Sequence, residues 1–129
     1  MKIVEVAVGV IKRNNQIYIS KRADDLHQGG LWEFPGGKRE ANESLEQALS
    51  RELQEEIGIQ LKSQNAFLLI EHDYGDKKVR LDVRLVDDFD GEPVHQDGQI
   101  SQWVDIAKLD RFDFPAANRV IVEKLQRDY

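Results

Sequence analysis

The sequence predicts a mixed α/β domain in which helices cover a largely β core. Three observations predict it: apolar–polar alternation near the N-terminus and again around residue 80, a capped amphipathic helix between those two segments, and a second apolar-faced helix after Pro115.

Val4, Val6, Val8 and Val10 alternate with Glu5, Ala7 and Gly9, the period of a strand with one strongly buried face. Asn14-Asn15 supplies turn chemistry before a second strand over 17–21, and the two read as a hairpin. A charged, glycine-containing loop follows over 22–30, then a brief extended run over 31–34, which Pro35-Gly36-Gly37 is expected to break. The helix spans 44–57: Ser44 is an N-cap with Gln47 three residues on, a capping-box pattern, and Gly58 suits a left-handed C-terminal cap. Two strands are expected over 67–74 and 79–86, joined at Gly75-Asp76, with Val79, Leu81, Val83 and Leu85 on one face against Arg80, Asp82 and Arg84. Lys77 and Lys78 read as part of an exposed turn. A polar loop over 87–99 leads to a short strand at Trp103-Val104, and Pro115 starts the last helix, expected to carry Val120, Ile121 and Leu125 inward. Trp32 and Trp103 read as core.

A chain of 129 residues, 40% of them apolar, is enough for one domain over 1–129 without covalent staples. The absence of cysteine excludes a disulfide framework, a thiolate zinc site and a cysteine nucleophile. Glu5 interrupts the apolar run after Lys2 and no small-residue cleavage site follows, so that run reads as a strand rather than a signal. No apolar stretch approaches the ~20 residues that cross a bilayer. A soluble, cytoplasmic monomer is the expectation. A net charge of −6 disfavours a stable nucleic-acid complex, because that affinity comes from Lys and Arg neutralising phosphates. A polyanionic small molecule then needs a metal or a local basic cluster.

The central helix violates its own pattern. With Leu45 at zero and about 100° per residue, Leu45, Ala48, Leu49, Leu53 and Ile57 form one apolar arc, and Glu52 at roughly 340° and Glu56 at roughly 20° fall inside it. Glu55, near 280°, lies at the edge. An unpaired buried carboxylate is costly enough to protonate or to recruit a cation, and hard oxygen donors suit Mg²⁺ or Mn²⁺. The alternative is a solvated Glu-rich helix, with Arg51 pairing Glu55 at i, i+4. That accounts for Glu55 but requires Glu52 and Glu56 to be exposed.

The same residues carry a family resemblance. Gly37, five residues, Glu43, seven residues, then Arg51-Glu52-Leu53-Gln54-Glu55-Glu56-Ile57-Gly58-Ile59 resembles the Nudix box without departure at its nine restricted positions. The stretches Ala7-Val8-Gly9-Val10-Ile11, Glu33-Phe34-Pro35-Gly36-Gly37-Lys38 and Asp113-Phe114-Pro115-Ala116-Ala117-Asn118 extend the similarity over nearly the whole chain, toward the 8-oxo-dGTP diphosphatase branch. The resemblance implies an α/β/α sandwich around a mixed central β-sheet and a Mg²⁺-dependent enzyme, with Mn²⁺ as a possible substitute. Water would attack an internal phosphorus of a nucleoside triphosphate, giving a monophosphate and pyrophosphate.

By matching position, the resemblance implies that Glu52, Glu55, Glu56 and the Gly36 carbonyl bind metal. Asp97 stands where that branch carries a glutamate, and its shorter reach leaves metal binding and proton transfer both open. Glu52 and Asp97 are thus the two candidate general bases. Arg22, Phe34, Lys38 and Asn118 correspond to substrate-binding positions, Gly37 and Arg51 to supporting ones, and Glu43 to an outer or helix-start role. His27 stays outside the catalytic set. The box leaves the base open, so CTP, a modified dCTP, a dinucleotide or an RNA 5′ end are rival substrates, and a non-catalytic nucleotide-binding module is a rival of another class.

Overall fold

The computed structural model describes residues 2–23 and 29–129; His27 lies outside the described residues. β1 (Lys2–Arg13) and β2 (Gln16–Lys21) form the expected hairpin, turning at Asn14, whose φ of 57° is the left-handed conformation Asn tolerates. After β3 (Trp32–Glu33) and β4 (Gly36–Lys38) come α1 (Leu45–Ile57), β5 (Gln60–Asp73), β6 (Lys77–Asp90), β7 (Ser101–Asp105), a short 3-10 helix (Ile106–Arg111) and α2 (Ala116–Asp128). The strands make one seven-stranded mixed sheet in the order β3-β2-β1-β6-β5, with β4 also paired to β1 and β7 to β2.

β1 is the centre of this arrangement. It runs parallel to β6 from Lys2↔Lys77 to Ile11↔Val86, while its other edge pairs antiparallel first with β4 and then, past the turn, with β2. One apolar face was expected for β1, but all of residues 7–11 are buried. Val8 and Val10 join the α2-side core with Ile17, Ile19, Val83, Ile121, Val122 and Leu125; Ala7 and Ile11 join the α1-side core with Tyr18, Leu49, Leu53, Ile57 and Val86. A strand with helices on both faces has no solvent side, so its small residues Ala7 and Gly9 face α1 instead of water. The result is a helix–sheet–helix sandwich. Burying each of Leu49, Leu53 and Ile57 contributes roughly 1.5–3 kcal/mol and fixes how α1 rotates about its axis.

Several expectations are corrected. The extended run does end before Pro35, with β3 stopping at Glu33, but the glycines expected to belong to the break form a new strand, β4, with Gly36 opposite Val8 and Gly37 opposite Ala7. β5 starts seven residues before the expected 67, its long outer half continuing by three register shifts. Lys77 and Lys78 belong to β6, opposite Lys2 and Ile3. Val120 is 42% exposed, and Val122 takes the inward position beside Ile121 and Leu125. Among the described residues no helix is long and apolar enough to cross a membrane.

Candidate active site

β4 and α1 build the site together. A Cβ at Gly36 would collide with the Ala7 carbonyl, and one at Gly37 with the Glu52 carboxylate. Glycine at both positions therefore lets bare backbone lie between β1 and the helix. The Gly36 N–H donates to Glu56 Oε2 at 3.4 Å. The part of the apolar arc that Glu52 and Glu56 interrupt faces this glycine strand, where no side chain competes for the space. Local chemistry anchors the helix: Ser44 and Gln47 close a reciprocal capping box, and Gly58, with φ of 72°, ends it.

Arg51 ties the surrounding pieces to one guanidinium. It donates to Glu43 at 2.7 and 3.1 Å, to Glu52 at 2.9 Å, to Glu55 at 3.4 Å and to the Lys38 carbonyl at 3.2 Å. Together with the Glu40 N–H, Arg51 holds the Glu43 carboxyl down at about 2. Glu43 therefore acts as an anchor for the arginine that orients Glu52.

Glu56 lies in a different environment. Its side chain is 19% exposed, and among the described residues no Lys or Arg bridges it; His95 Nε2 stands 3.5 Å from its Oε1. Burial first, then the charges of Glu33, Glu52 and Asp97, push the Glu56 carboxyl up to about 7, against the opposing pull of the Gly36 N–H. Glu52 is 22% exposed and Glu55 63%. The solvated-helix alternative thus holds for Glu55 and fails for the other two.

A cleft of about 260 Å³ is lined by Glu52, Glu55, Glu56, His95, Asp97 and Gln99. It shares Asp97 and Gln99 with a neighbouring cleft of about 290 Å³ that Lys21, Arg22 and Ile100 also line. An acidic half and a basic half therefore adjoin through Asp97. A larger cleft of about 640 Å³, beside Asn15, Asp110 and Tyr129, contains none of the expected site residues.

The structure brings Gly36, Gly37, Arg51, Glu52, Glu55, Glu56 and Asp97 to one place. Arg22 pairs with Glu33 at 3.0 Å on the basic side. Lys38 is exposed, with its backbone paired to Val6. Phe34, expected to meet substrate, is only 5% exposed and stacks on Phe114, ring centroids 5.2 Å apart. Its ring belongs to the core, because the strand alternation that turns Glu33 toward the cleft turns Phe34 into the α2 side. Asn118 is in the first turn of α2, and this stack ties the entry of that helix to the entry of β4, since Phe114 precedes α2 and Phe34 precedes β4. His95, Glu33 and Gln99 were missed. Glu33 lay inside a stretch already noted for its resemblance, whereas His95 and Gln99 sit in a loop with no periodicity to mark them.

Among the described residues no three Asp, Glu or His side chains converge as a finished cation cage. The donors nevertheless fit a hard divalent cation: the carboxylates of Glu33, Glu52 and Asp97 press a half-buried Glu56 toward the protonated form.

The NUDIX domain model matches residues 6–124. The chain is 42% identical over 128 residues to the 8-oxo-dGTP diphosphatase of Escherichia coli, covering 98% of this chain and 99% of that one. It is 36% identical to the CTP pyrophosphohydrolase of Escherichia coli, covering 80% and 76%. A solved structure from work on MutT of Aliivibrio salmonicida and Vibrio cholerae superposes with a TM-score of 0.90 at 42% identity, covering 99% of this chain and all of that one.

Proposed function

The chain belongs to the NUDIX domain family, and from that premise we propose that it is a Mg²⁺-dependent pyrophosphohydrolase that converts 8-oxo-dGTP and 8-oxo-GTP to monophosphate and pyrophosphate. Such a reaction keeps oxidised guanine out of replicating DNA. The observation that carries the metal-dependent chemistry is Glu56, a carboxylate mostly withdrawn from water and surrounded by like charge. Such a group is tolerated where a cation completes it.

Glu52, Glu55, Glu56 and the Gly36 carbonyl would hold a divalent cation, which would supply charge to neutralise phosphate oxygens and to lower the pKa of water. The chain's own residues do the rest. Arg51 fixes Glu52 at 2.9 Å, and Glu52 takes the proton of the water that attacks an internal phosphorus. Asp97, across the same cleft, is the competing base. Arg22 and Lys38 steady the phosphates, Arg22 from the basic half of the cleft. If Glu52 is the base, Glu52→Gln lowers kcat by at least about a hundredfold under saturating Mg²⁺, and Asp97→Asn lowers it less. A reversed order of losses transfers the role to Asp97.

Asn118 is assigned to the base. Oxidation at C8 turns guanine N7 from an acceptor into a donor, so one side-chain amide can donate to O6 and accept from N7–H together. Among the described residues the Asn118 amide has no hydrogen-bond partner within the chain, which leaves it available for that pairing.

The relative named for CTP hydrolysis supports a second reading, a pyrimidine triphosphatase. A panel of 8-oxo-dGTP, 8-oxo-GTP, dGTP, CTP and dCTP, with monophosphate and pyrophosphate quantified, separates them. Preference for CTP over both oxidised nucleotides overturns the guanine assignment; no pyrophosphate from any of them overturns hydrolysis. A cytoplasmic monomer that acts on free nucleotides and forms no stable nucleic-acid complex completes the proposal.

A further inference from the structure

His95 is one of only two buried polar residues among those described, with a side chain 3% exposed. It belongs to a loop docked onto the C-terminal end of α1: the Gln96 N–H donates to the Glu56 carbonyl at 2.8 Å and the Val94 N–H to the Ile57 carbonyl at 3.1 Å. The His95 backbone N–H points at the Tyr18 phenol oxygen, and that hydroxyl donates to Ser101 Oγ at 2.8 Å. The loop backbone that carries the imidazole is thus held by the helix end and by the sheet. Its two nitrogens face different groups. Nδ1 accepts the Asp97 N–H at 3.3 Å, and Nε2 lies 3.5 Å from Glu56 Oε1.

A neutral imidazole has one donor and one acceptor nitrogen, and the partner of one decides the state of the other. Because Nδ1 accepts from a backbone N–H, it carries no proton, and in the neutral ring the proton sits on Nε2, facing a carboxylate. That tautomer has no Nε2 lone pair to give a metal ion. His95 is therefore suited to orienting Glu56 and not to ligating a cation beside it.

We propose that His95 is a positioning residue that couples the two acidic elements of the site: Nε2–H orients the Glu56 carboxylate while Nδ1 fixes the backbone of Asp97, so that helix and loop present their carboxylates to a divalent cation in one fixed relation. The inference rests on the metal-dependent reading above. It extends that reading to a residue outside the family motif, in the loop whose acidic position holds Asp97. Orientation of this kind matters because carboxylate ligands that rotate freely lose affinity, and removal of an orienting partner typically costs about 10- to 100-fold in metal binding.

Two substitutions separate the halves of this role. Glutamine places an amide N–H₂ near the Nε2 position, and asparagine places an amide oxygen near the Nδ1 position, so His95→Gln keeps the contact to Glu56 and His95→Asn keeps the contact to Asp97. Binding of Mn²⁺ to the full chain, followed by the loss of free-ion electron paramagnetic resonance signal, is the first readout. The tautomer in the metal-free wild type, from imidazole ¹⁵N shifts at neutral pH with His95 assigned by the variants, is the second. Expected are the Nε2–H tautomer, Mn²⁺ binding weakened by about tenfold or more in His95→Asn and His95→Phe, and by less than about threefold in His95→Gln. An Nδ1–H tautomer, equal weakening in all three variants, or wild-type affinity in all three overturns the assignment of His95 and leaves the hydrolase reading intact. No Mn²⁺ binding by the wild type overturns both.

Discussion

At position 56 a carboxylate is largely kept from water with no lysine or arginine bridging it among the described residues, and the consequence is a pH dependence of opposite sign to that of most acidic side chains. Its carboxyl is raised from 4.5 to about 7, so the folded chain holds this proton more tightly than the unfolded chain. Stability from the protonated form is then fully present below about pH 4.5 and lost as pH rises through about 7, a change of ~3 kcal/mol for the metal-free protein. Glu56→Gln imitates the protonated acid. We expect the metal-free variant to lack this fall and to be more stable than the wild type at pH 8, measured by urea unfolding in chelator at pH 5 and pH 8. Equal pH dependence in the two proteins would mean that Glu56 is already compensated. Also at the residue scale, Asn118→Ala should raise KM for 8-oxo-dGTP by about tenfold or more and leave KM for dGTP little changed, since a lost amide pairing costs roughly 1–3 kcal/mol. Equal losses on both nucleotides would make Asn118 a structural residue of the first turn of α2.

At the scale of elements, the helix carries acidic side chains within its apolar arc because the strand it meets there has none. Leu49, Leu53 and Ile57 pack on β1 and its neighbours, while Glu52 and Glu56 face the backbone of Gly36 and Gly37. Ordinary residues in β4 would fill that space and force the carboxylates outward. Gly37→Ala tests this directly, because the new methyl group meets a Glu52 carboxylate that Arg51 holds in place. The expected result is a kcat lowered by about 10²-fold, the cost of an ångström-scale misplacement of a reacting group, with a melting temperature within a few degrees of the wild type. Undiminished kcat would show that Glu52 acts from another position.

Across the whole molecule, the two cores divide the work. The α1 side supports the carboxylates, the α2 side supports Asn118, and the stacked Phe34 and Phe114 rings join the entry to β4 with the entry to α2. The carboxylates and Asn118 thus stand on elements packed against one rigid sheet, whereas a loop would leave their separation variable. Since a divalent cation binds the folded arrangement of carboxylates and not the dispersed ones of the unfolded chain, Mg²⁺ at a hundredfold excess over its Kd should stabilise the protein by about 2.7 kcal/mol. Calorimetry should show the melting temperature rising with Mg²⁺ and returning with chelator. Hydrolysis should cease in chelator and rise toward alkaline pH as the base and the ligands ionise. Full turnover in excess chelator would refute the metal-dependent mechanism.

The sequence by itself determined α1 and its caps, the hairpin at Asn14, the alternation of β6 and the grouping of Glu52, Glu55 and Glu56, because each is written in residues a few positions apart. Spacing along a helix also sufficed to place Glu52 and Glu56 in an apolar arc, a pattern violation that pointed to a site before any fold was known. Only the tertiary structure decided which surface that arc meets. It made Gly36–Lys38 a strand, sent the Phe34 ring into the core, exchanged Val120 for Val122 on the inner face of α2, and brought Glu33 and His95 to Glu56. These outcomes depend on β4, β3 and the loop before β7 closing around one helix end. Burial and electrostatic fields are sums over neighbours in space, and neighbours distant in the chain leave no local period to read.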